Sequence, residues 1–262
     1  MKILNPEKDL STFFDFLKKS QNRALLLDYD GTLAPFRVER DKALPYPGVA
    51  EALKRIIQNG GTRLVLISGR RLDELIPLVG LERLPEIWGS HGGEKLLTNG
   101  KYHRAVLSKE TARGLDAAAG WMGEMGWSGR LERKPSSVAL HWRGMRPEKM
   151  EEMRARVLEH LPHLVEGTGL SLHEFDGGLE LRPRGITKGK AVETILAEMQ
   201  GDTVCAYLGD DLTDEDAFRA LKGRSLGVLV REELRETRAD LWLQPPKELL
   251  DFLRRWQAAI SS

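Results

Sequence analysis

One stretch of the sequence constrains the fold more than any other. The apolar residues 25–27 run directly into Asp28 and Asp30, and a glycine and a threonine follow. A short apolar run that ends at a turn signal is typical of a buried strand. In open α/β sheets ligands bind beyond the carboxyl ends of the strands, where both aspartates are expected to lie. Because buried carboxylates are costly without a cation or a partner, the pattern predicts a functional site.

A second acidic cluster follows another predicted strand. The mostly apolar residues 203–208 lead into residues 209–216, which contain Asp210, Asp211 and Asp214. We expect both strands to bring carboxylates to one metal site. All-oxygen ligation favours Mg²⁺, whereas zinc would require Cys and His ligands, and this chain has one Cys and six His without ligand spacing.

These carboxylates also suit phosphoryl transfer. A carboxylate beside Mg²⁺ can attack a phosphoryl group to form an aspartyl-phosphate. A neighbouring like charge raises the pKa of an acid, so that one acid can stay protonated and donate to a leaving oxygen. Asp28 and Asp30 are therefore candidates for nucleophile and acid/base, and their spacing leaves open which is which.

Four motifs occur in the order typical of the haloacid dehalogenase (HAD) superfamily of phosphotransferases, which this chain resembles. They are Asp28-Tyr29-Asp30-Gly31-Thr32, Ser68-Gly69-Arg70, Lys188 and Gly209-Asp210-Asp211. Within the superfamily the chain resembles the trehalose-6-phosphate phosphatases, an enzyme family of trehalose biosynthesis. The segments that carry this closer likeness are residues 28–33, 89–92, 132–134, 141–143, 179–183 and 209–218.

The resemblance implies a role for each motif residue. Asp28 would be the nucleophile and Asp30 the acid/base, and Lys188, Ser68 and Gly69 would bind the phosphate. The implied reaction is the Mg-dependent hydrolysis of trehalose 6-phosphate to trehalose and phosphate through an aspartyl-phosphate. The alternatives are a related capped phosphatase acting on sucrose 6-phosphate or a glycosyl-phosphoglycerate, or a silent sugar-phosphate-binding domain.

The resemblance also implies the ligands of the metal. Asp28, Asp210 and the backbone carbonyl of Asp30 would bind Mg²⁺, and Asp211 and Asp214 would support its waters.

The distribution of elements predicts an α/β fold with an insertion. Alternating strands and helices argue for parallel βαβ units, and the resemblance implies that residues 1–107 and 183–262 form a Rossmann-like HAD core. Residues 108–182 instead predict helix, two strands, helix and a hairpin around Asp176 and Gly177, an inserted α+β cap. Its position in the chain matches the second (C2) cap type of the superfamily. Such a cap would exclude water and determine substrate specificity.

The sugar is assigned to charged residues of the cap. Glu132, Lys134 and Glu180 suit hydroxyl groups, which both donate and accept hydrogen bonds, and the carboxylates would repel the anionic aglycone of mannosyl-3-phosphoglycerate. Without the resemblance, an ordinary solvated strand face is the preferred interpretation of these charges. The chain departs from the family pattern at Arg133, usually Asp, and at Trp142, usually Tyr.

Lys190 is an alternative to Lys188 as the lysine that binds the phosphate. Thr187 is a predicted N-cap of the following helix, and a phosphate at that helix start would be bound by backbone N–H groups and an ammonium. Lys190 fits this local chemistry equally well. The order of the family motifs favours Lys188.

Other candidates have structural alternatives. His91 is either a sugar ligand or a buried histidine with its hydrogen bonds satisfied, and Ser68 could also cap the next helix. Thr213 and Asp216 predict a variant capping box, so that Glu215 and Asp216 are interpreted as capping rather than ligating residues.

Composition narrows the classes of partner. A formal net charge of +1 gives no field that would attract nucleic acid or an anionic membrane, and no apolar segment is long enough to span a bilayer. The first residues turn polar too soon for a signal peptide, and the lone Cys205 is interpreted as a core thiol. We therefore expect a cytoplasmic protein that binds neither nucleic acid nor membrane. The resemblance implies a small sugar phosphate as its partner, and we also expect a monomer.

Overall fold

The computed structural model describes residues 1–37, 39–175, 177–199 and 201–261, and it divides the chain into two compact units. The core unit consists of Met1–His103 and Thr187–Ser262, and the inserted unit consists of Arg104–Ile186. No helix in the described ranges is long and apolar enough to cross a membrane.

The elements alternate between strand and helix over most of the chain. The strands are β1 (Lys2–Ile3), β2 (Arg23–Leu27), β3 (Arg63–Ile67), β4 (Glu86–Gly89), β5 (Glu94–Leu96), β6 (Tyr102–Arg104), β7 (Leu131–Arg133), β8 (Val138–His141), β9 (Leu170–Phe175), β10 (Gly178–Pro183), β11 (Val204–Gly209), β12 (Ser225–Val230) and β13 (Leu241–Leu243). The α-helices are α1 (Leu10–Lys19), α2 (Val49–Asn59), α3 (Leu72–Val79), α4 (Lys109–Glu124), α5 (Pro147–Leu164), α6 (Lys188–Glu198), α7 (Glu215–Ala220) and α8 (Lys247–Ile260).

The core unit is built on one mostly parallel sheet. Its strand order is β1-β13-β12-β11-β2-β3-β4-β5-β6, with parallel pairing from β13 through β4 and antiparallel strands β1 and β5 towards the edges. The predicted Rossmann-like α/β fold is confirmed.

Alternation of side chains along β2 explains why helices cover both faces of this sheet. Leu25 and Leu27 belong to a core that includes Leu53 of α2, whereas Leu26 belongs to a core that includes Ile195 of α6. Successive strand side chains point to opposite faces, and both faces of a parallel sheet are buried. The polar residues that end such a strand are therefore held at the edge of a rigid core.

The inserted unit is an antiparallel sheet covered by helices. Its strand order is β7-β8-β10-β9, and residues of α4 and α5 pack with one face of the sheet in a single apolar core. The predicted order of helix, two strands, helix and hairpin is confirmed. Asp176 of the predicted hairpin turn lies outside the described residues. Helix α5 extends to Leu164, and its residue Leu161 packs into the same core.

Candidate active site

Two adjacent strand ends bring three carboxylates together. Leu27 of β2 pairs with Leu208 of β11 in parallel register, so Asp28 and Asp210 leave neighbouring strands at the same edge of the sheet. One carboxylate oxygen from each of Asp28, Asp210 and Asp214 lies within 4.8 Å of the other two. Their exposed fractions are 3%, 1% and 0%. The result is a compact, buried acidic cluster.

Lys188 belongs to this cluster and Lys190 does not. The Nζ atom of Lys188 lies 2.8 Å from Asp28 Oδ1 and 2.7 Å from Asp214 Oδ1. Thr187 caps α6 as predicted, because its Oγ1 accepts the Lys190 backbone N–H. The ammonium of Lys190 pairs with Glu193 on the exposed side of the helix.

The charges of the cluster are unbalanced. Burial raises the pKa of Asp28 to about 7, although the ammonium of Lys188 acts in the opposite direction. Burial also raises the pKa of Asp210, and repulsion by Asp28 and Asp214 adds to it. Burial alone would lower the pKa of Lys188, but attraction by Asp214 and Asp28 outweighs it and the pKa is raised. One ammonium among three carboxylates leaves room for a further positive charge.

One carboxylate oxygen is arranged as a metal ligand would be. Asp210 Oδ2 is buried and has no hydrogen-bond partner among the described residues. A Cβ atom added to Gly31, whose φ is +77°, would lie 2.2 Å from this oxygen, so a side chain there would occupy the adjacent space. A buried oxygen of this kind, beside further carboxylates, suits a hard divalent cation. The cluster therefore fits a divalent metal.

Asp214 organises the loop after β11. Its Oδ2 accepts the backbone N–H groups of Asp210, at 3.0 Å, and Asp211, at 2.9 Å, and its Oδ1 accepts hydrogen bonds from Lys188 and the Tyr207 hydroxyl. Tyr207 was not identified from the sequence, since a tyrosine inside an apolar strand gives no signal of its partner. Asp214 thus fixes both the ammonium and the backbone of the loop.

The predicted capping box at Thr213 and Asp216 is wrong. The box is formed by Asp211 and Asp214 around a one-turn 3₁₀ helix, and α7 begins only at Glu215. Glu215 instead accepts hydrogen bonds from Arg235 and Thr237, and Asp216 pairs with Arg219. The box forms two residues earlier because the backbone N–H groups that follow Gly209 turn towards the Asp214 carboxylate.

The Tyr207 hydroxyl is expected to stabilise the cluster. In Tyr207→Phe, Asp214 loses one buried hydrogen bond but keeps Lys188, so we expect the free energy of unfolding to fall by about 1 to 2 kcal/mol. Urea denaturation measures this change. Tyr46→Phe is the matched control, because the Tyr46 hydroxyl makes no side-chain hydrogen bond within the described part of the chain. Equal stability of Tyr207→Phe and wild type would contradict the assignment.

The loop after β3 holds the other predicted phosphate ligands. Ser68 is buried, and its Oγ accepts the Arg70 backbone N–H at 3.1 Å. The additional capping role considered for Ser68 is wrong, because α3 begins at Leu72 and Arg71 is its N-cap residue. The Ser68 hydroxyl instead accepts a hydrogen bond within a short turn from Ser68 to Arg70.

His91 lies behind this loop in the core unit. Its backbone N–H donates to the Ser68 carbonyl at 2.9 Å, and a Cβ atom added to Gly69 would lie 2.7 Å from its Nε2. His91 is buried and has a φ of 57°, a conformation that few non-glycine residues adopt. The burial of His91 agrees with one of its two predicted alternatives, and both alternatives stay predictions.

Asp30 lies apart from the acidic cluster. Both of its carboxylate oxygens accept hydrogen bonds from Arg70, each at 2.6 Å, and 26% of its side chain is exposed. Arg70 belongs to the Ser-Gly-Arg motif, but no local pattern predicts that its guanidinium reaches the first motif.

The predicted sugar ligands lie on one face of the sheet in the inserted unit. Glu132 of β7 and Glu180 of β10 are both registered opposite Ala139 of β8, and His173 of β9 is registered opposite Glu180. Directly paired residues point to the same face of a sheet. These side chains therefore form one row across the four strands.

Polar contacts fix the two glutamates. Lys134 Nζ lies 3.0 Å from Glu180 Oε1, and the Ser137 hydroxyl donates to the same oxygen at 2.6 Å. His141 Nε2 lies 2.7 Å from Glu132 Oε2. Ser137 was not identified from the sequence, because only the register of β8 and β10 places it beside Glu180.

The two departures from the family pattern lie on the other face. Arg133 is registered opposite Val138 and pairs with Asp116 of α4. Trp142 is buried in the apolar core of the inserted unit. Neither side chain belongs to the face that holds Glu132 and Glu180.

Comparison with known proteins places the chain in a family. Residues 26–239 match the trehalose-phosphatase family model. The chain is 31% identical to trehalose 6-phosphate phosphatase RA3 of Zea mays, over 90% of this chain and 70% of that protein.

Solved structures show the same fold. The C-terminal domain of trehalose-6-phosphate phosphatase from C. albicans has a TM-score of 0.81 at 22% identity, with 98% of this chain and 99% of that chain covered. A haloacid dehalogenase-like hydrolase from B. subtilis has a TM-score of 0.64 at 14% identity, with 88% and 98% covered. These likenesses confirm the predicted fold, and the family match confirms a phosphoric monoester hydrolase. The chain belongs to the trehalose-phosphatase family.

Proposed function

We propose that this chain hydrolyses trehalose 6-phosphate to trehalose and phosphate through an aspartyl-phosphate on Asp28. The observation that supports it most is the Lys188 ammonium held between Asp28 and Asp214 in a buried cluster with an open Asp210 oxygen. A nucleophilic carboxylate, a fixed cation and a ligand for a divalent metal are the groups that phosphoryl transfer requires. Family membership supports the substrate.

The first step transfers the phosphoryl group to the enzyme. An Asp28 oxygen attacks phosphorus, and the bond between phosphorus and the sugar O6 breaks. Asp30 gives a proton to the departing sugar oxygen, which as an alkoxide would be a poor leaving group. Lys188, the Ser68 hydroxyl and the Gly69 backbone stabilise charge on the transferring oxygens.

The second step returns the enzyme to its starting state. Asp30, now a carboxylate, takes a proton from water as the water oxygen attacks phosphorus. The bond between phosphorus and Asp28 breaks, and phosphate leaves.

We propose Mg²⁺ as the metal. Asp28, Asp210 and the Asp30 backbone carbonyl would hold it, and Asp211 and Asp214 would support its shell. Bound Mg²⁺ would supply positive charge against the phosphate oxygens and the carboxylate cluster. Oxygen ligands alone, with no Cys or His in the cluster, support this ion over zinc.

We assign the sugar to the inserted unit, through Glu132, Lys134 and Glu180. Their shared sheet face and their fixed rotamers support this role, as does the position of Arg133 and Trp142 on the opposite face. The packing of His91 against Gly69 supports a role for His91 in shaping the phosphate loop rather than in sugar binding. Catalysis in residues 1–107 and 183–262, with specificity in residues 108–182, stays a prediction. It also stays a prediction that the enzyme is monomeric and cytoplasmic and that it binds neither nucleic acid nor membrane.

Removal of the metal is expected to lower the melting temperature. Adding Mg²⁺ at about 100 times its Kd to EDTA-treated protein should contribute about 2.7 kcal/mol to stability, which raises Tm by about 5 to 10 °C in a chain of this size. Differential scanning calorimetry measures the shift. Asp210→Asn should show almost none of it, whereas the control Asp216→Asn should keep it. A full Mg²⁺ shift in Asp210→Asn would contradict the assigned ligand.

Turnover of p-nitrophenyl phosphate separates an enzyme from a silent binding domain. We expect Mg-dependent release of p-nitrophenol, because the core residues suffice for phosphoryl transfer. No release with any divalent metal would favour the silent domain.

A further inference from the structure

The Arg70 guanidinium forms a bidentate ion pair with the Asp30 carboxylate. Its Nε donates to Asp30 Oδ2 and its Nη2 to Asp30 Oδ1, each at 2.6 Å. Bidentate pairs of this kind are strong and fix the orientation of the carboxylate. Both oxygens of Asp30 are therefore set by one side chain that comes from a different strand end.

Arg70 is itself rigidly held. Only 4% of the residue is exposed, and its Nη1 donates to the Arg40 carbonyl at 2.8 Å. Its backbone N–H donates to Ser68 Oγ at 3.1 Å, and its carbonyl accepts the Ser90 N–H at 2.7 Å. The guanidinium is thus fixed before any substrate binds, so little entropy is lost when it orients Asp30.

We propose that Arg70 is a positioning residue for the reaction, acting through Asp30. It orients the Asp30 carboxyl and stabilises the carboxylate that forms when Asp30 gives its proton to the departing oxygen. The bond between phosphorus and that oxygen breaks, the oxygen keeps the electron pair and gains the proton, and the new negative charge lies against the guanidinium. This inference rests on the acid/base role proposed for Asp30 and is independent of the identity of the sugar.

The positioning role predicts that the loss of rate on substituting Arg70 depends on the basicity of the leaving group. A strongly basic leaving oxygen needs the proton, whereas a weakly basic one such as p-nitrophenolate departs without it. A purely structural Arg70 would instead affect all phosphoesters equally, because a distorted site slows every attack by Asp28. A series of substituted phenyl phosphates, from p-nitrophenyl to p-methoxyphenyl, separates the two roles without any sugar.

The experiment measures the rate of the first turnover for this series by rapid quench, with saturating Mg²⁺. In Arg70→Met we expect a loss of about 100-fold for the most basic leaving group and less than about 3-fold for p-nitrophenolate. KM should change little, because Arg70 does not contact the phosphate in this scheme. Arg70→Lys, which keeps the charge without the fork, should recover part of the loss. Arg71→Met is the matched control, because Arg71 pairs with Asp73 at the surface.

The outcomes are distinct. Equal losses across the series, or a wild-type profile in Arg70→Met, would overturn the positioning role. Wild-type activity on phenyl phosphates without activity on trehalose 6-phosphate would overturn the proposed substrate and leave the Arg70 result valid. Inactivity of the wild type on every ester would overturn both.

Discussion

Asp28→Asn is expected to abolish phosphate release and to leave the fold intact. The amide cannot form the acyl-phosphate bond, so we expect kcat to fall by at least about 10⁴-fold, as for other enzymes that lose their nucleophile. Stability should change little, because the lost ion pair with Lys188 is offset by weaker repulsion among the buried carboxylates, and Lys188 keeps its ion pair with Asp214. Phosphate release, together with circular dichroism and urea unfolding, measures both effects.

A covalent intermediate provides the matching control. Acid quenching during turnover should trap phosphorylated wild-type protein, and Asp28→Asn should carry no acid-stable label. A near-wild-type rate in this variant, with or without a label, would refute Asp28 as the nucleophile.

Glu180 is expected to control recognition of the sugar. Its Oε1 is fixed by Lys134 and Ser137, and its Oε2 lies 3.7 Å from Arg182 Nη1, so the carboxylate is pre-oriented for hydroxyl groups. Loss of one or two charge-assisted hydrogen bonds of about 1.5 to 3 kcal/mol each should raise KM for the disaccharide phosphate at least 10-fold, and about 100-fold for a loss of 2.7 kcal/mol. Steady-state kinetics of Glu180→Ala and Glu180→Gln measure this change in KM. The Gln variant keeps the shape of the side chain, so its fold should be preserved.

The small substrate p-nitrophenyl phosphate distinguishes sugar recognition from general damage. Its KM and kcat should stay within about 3-fold of wild type in both Glu180 variants, because it lacks the sugar. Glu174→Ala is the control on the same sheet, since Glu174 is registered opposite Leu179 on the other face and pairs with Arg154. Equal losses on the two substrates would remove Glu180 from the sugar site.

Local patterns were enough to predict the scaffold of the site. The apolar runs that end at Asp28 and at Asp210 correspond to β2 and β11, which are neighbours in the sheet. Because the carboxyl ends of parallel strands share one edge of a sheet, both acidic segments were expected at one site. The cap of α6 at Thr187 was also predictable, because the backbone N–H that donates to its hydroxyl lies only three residues away.

Contacts between distant residues were not predictable. The Arg70–Asp30 pair joins residues 40 positions apart, and the Ser137–Glu180 bond joins residues 43 positions apart. Neither pair has a spacing that a helix or strand would reveal. The position of the 3₁₀ turn was also missed, since Asp211 and Thr213 are both good caps and only the folded position of the loop selects between them.

The most direct test of the central claim is phosphate release from a small panel of substrates, with Mg²⁺ and with EDTA. The panel contains trehalose 6-phosphate, sucrose 6-phosphate, glucose 6-phosphate and mannosyl-3-phosphoglycerate. We predict a strong preference for trehalose 6-phosphate that disappears in EDTA and returns with Mg²⁺. Mg-dependent activity on another member alone would contradict the roles of Glu132, Lys134 and Glu180, and no release from any member would contradict the proposed reaction itself.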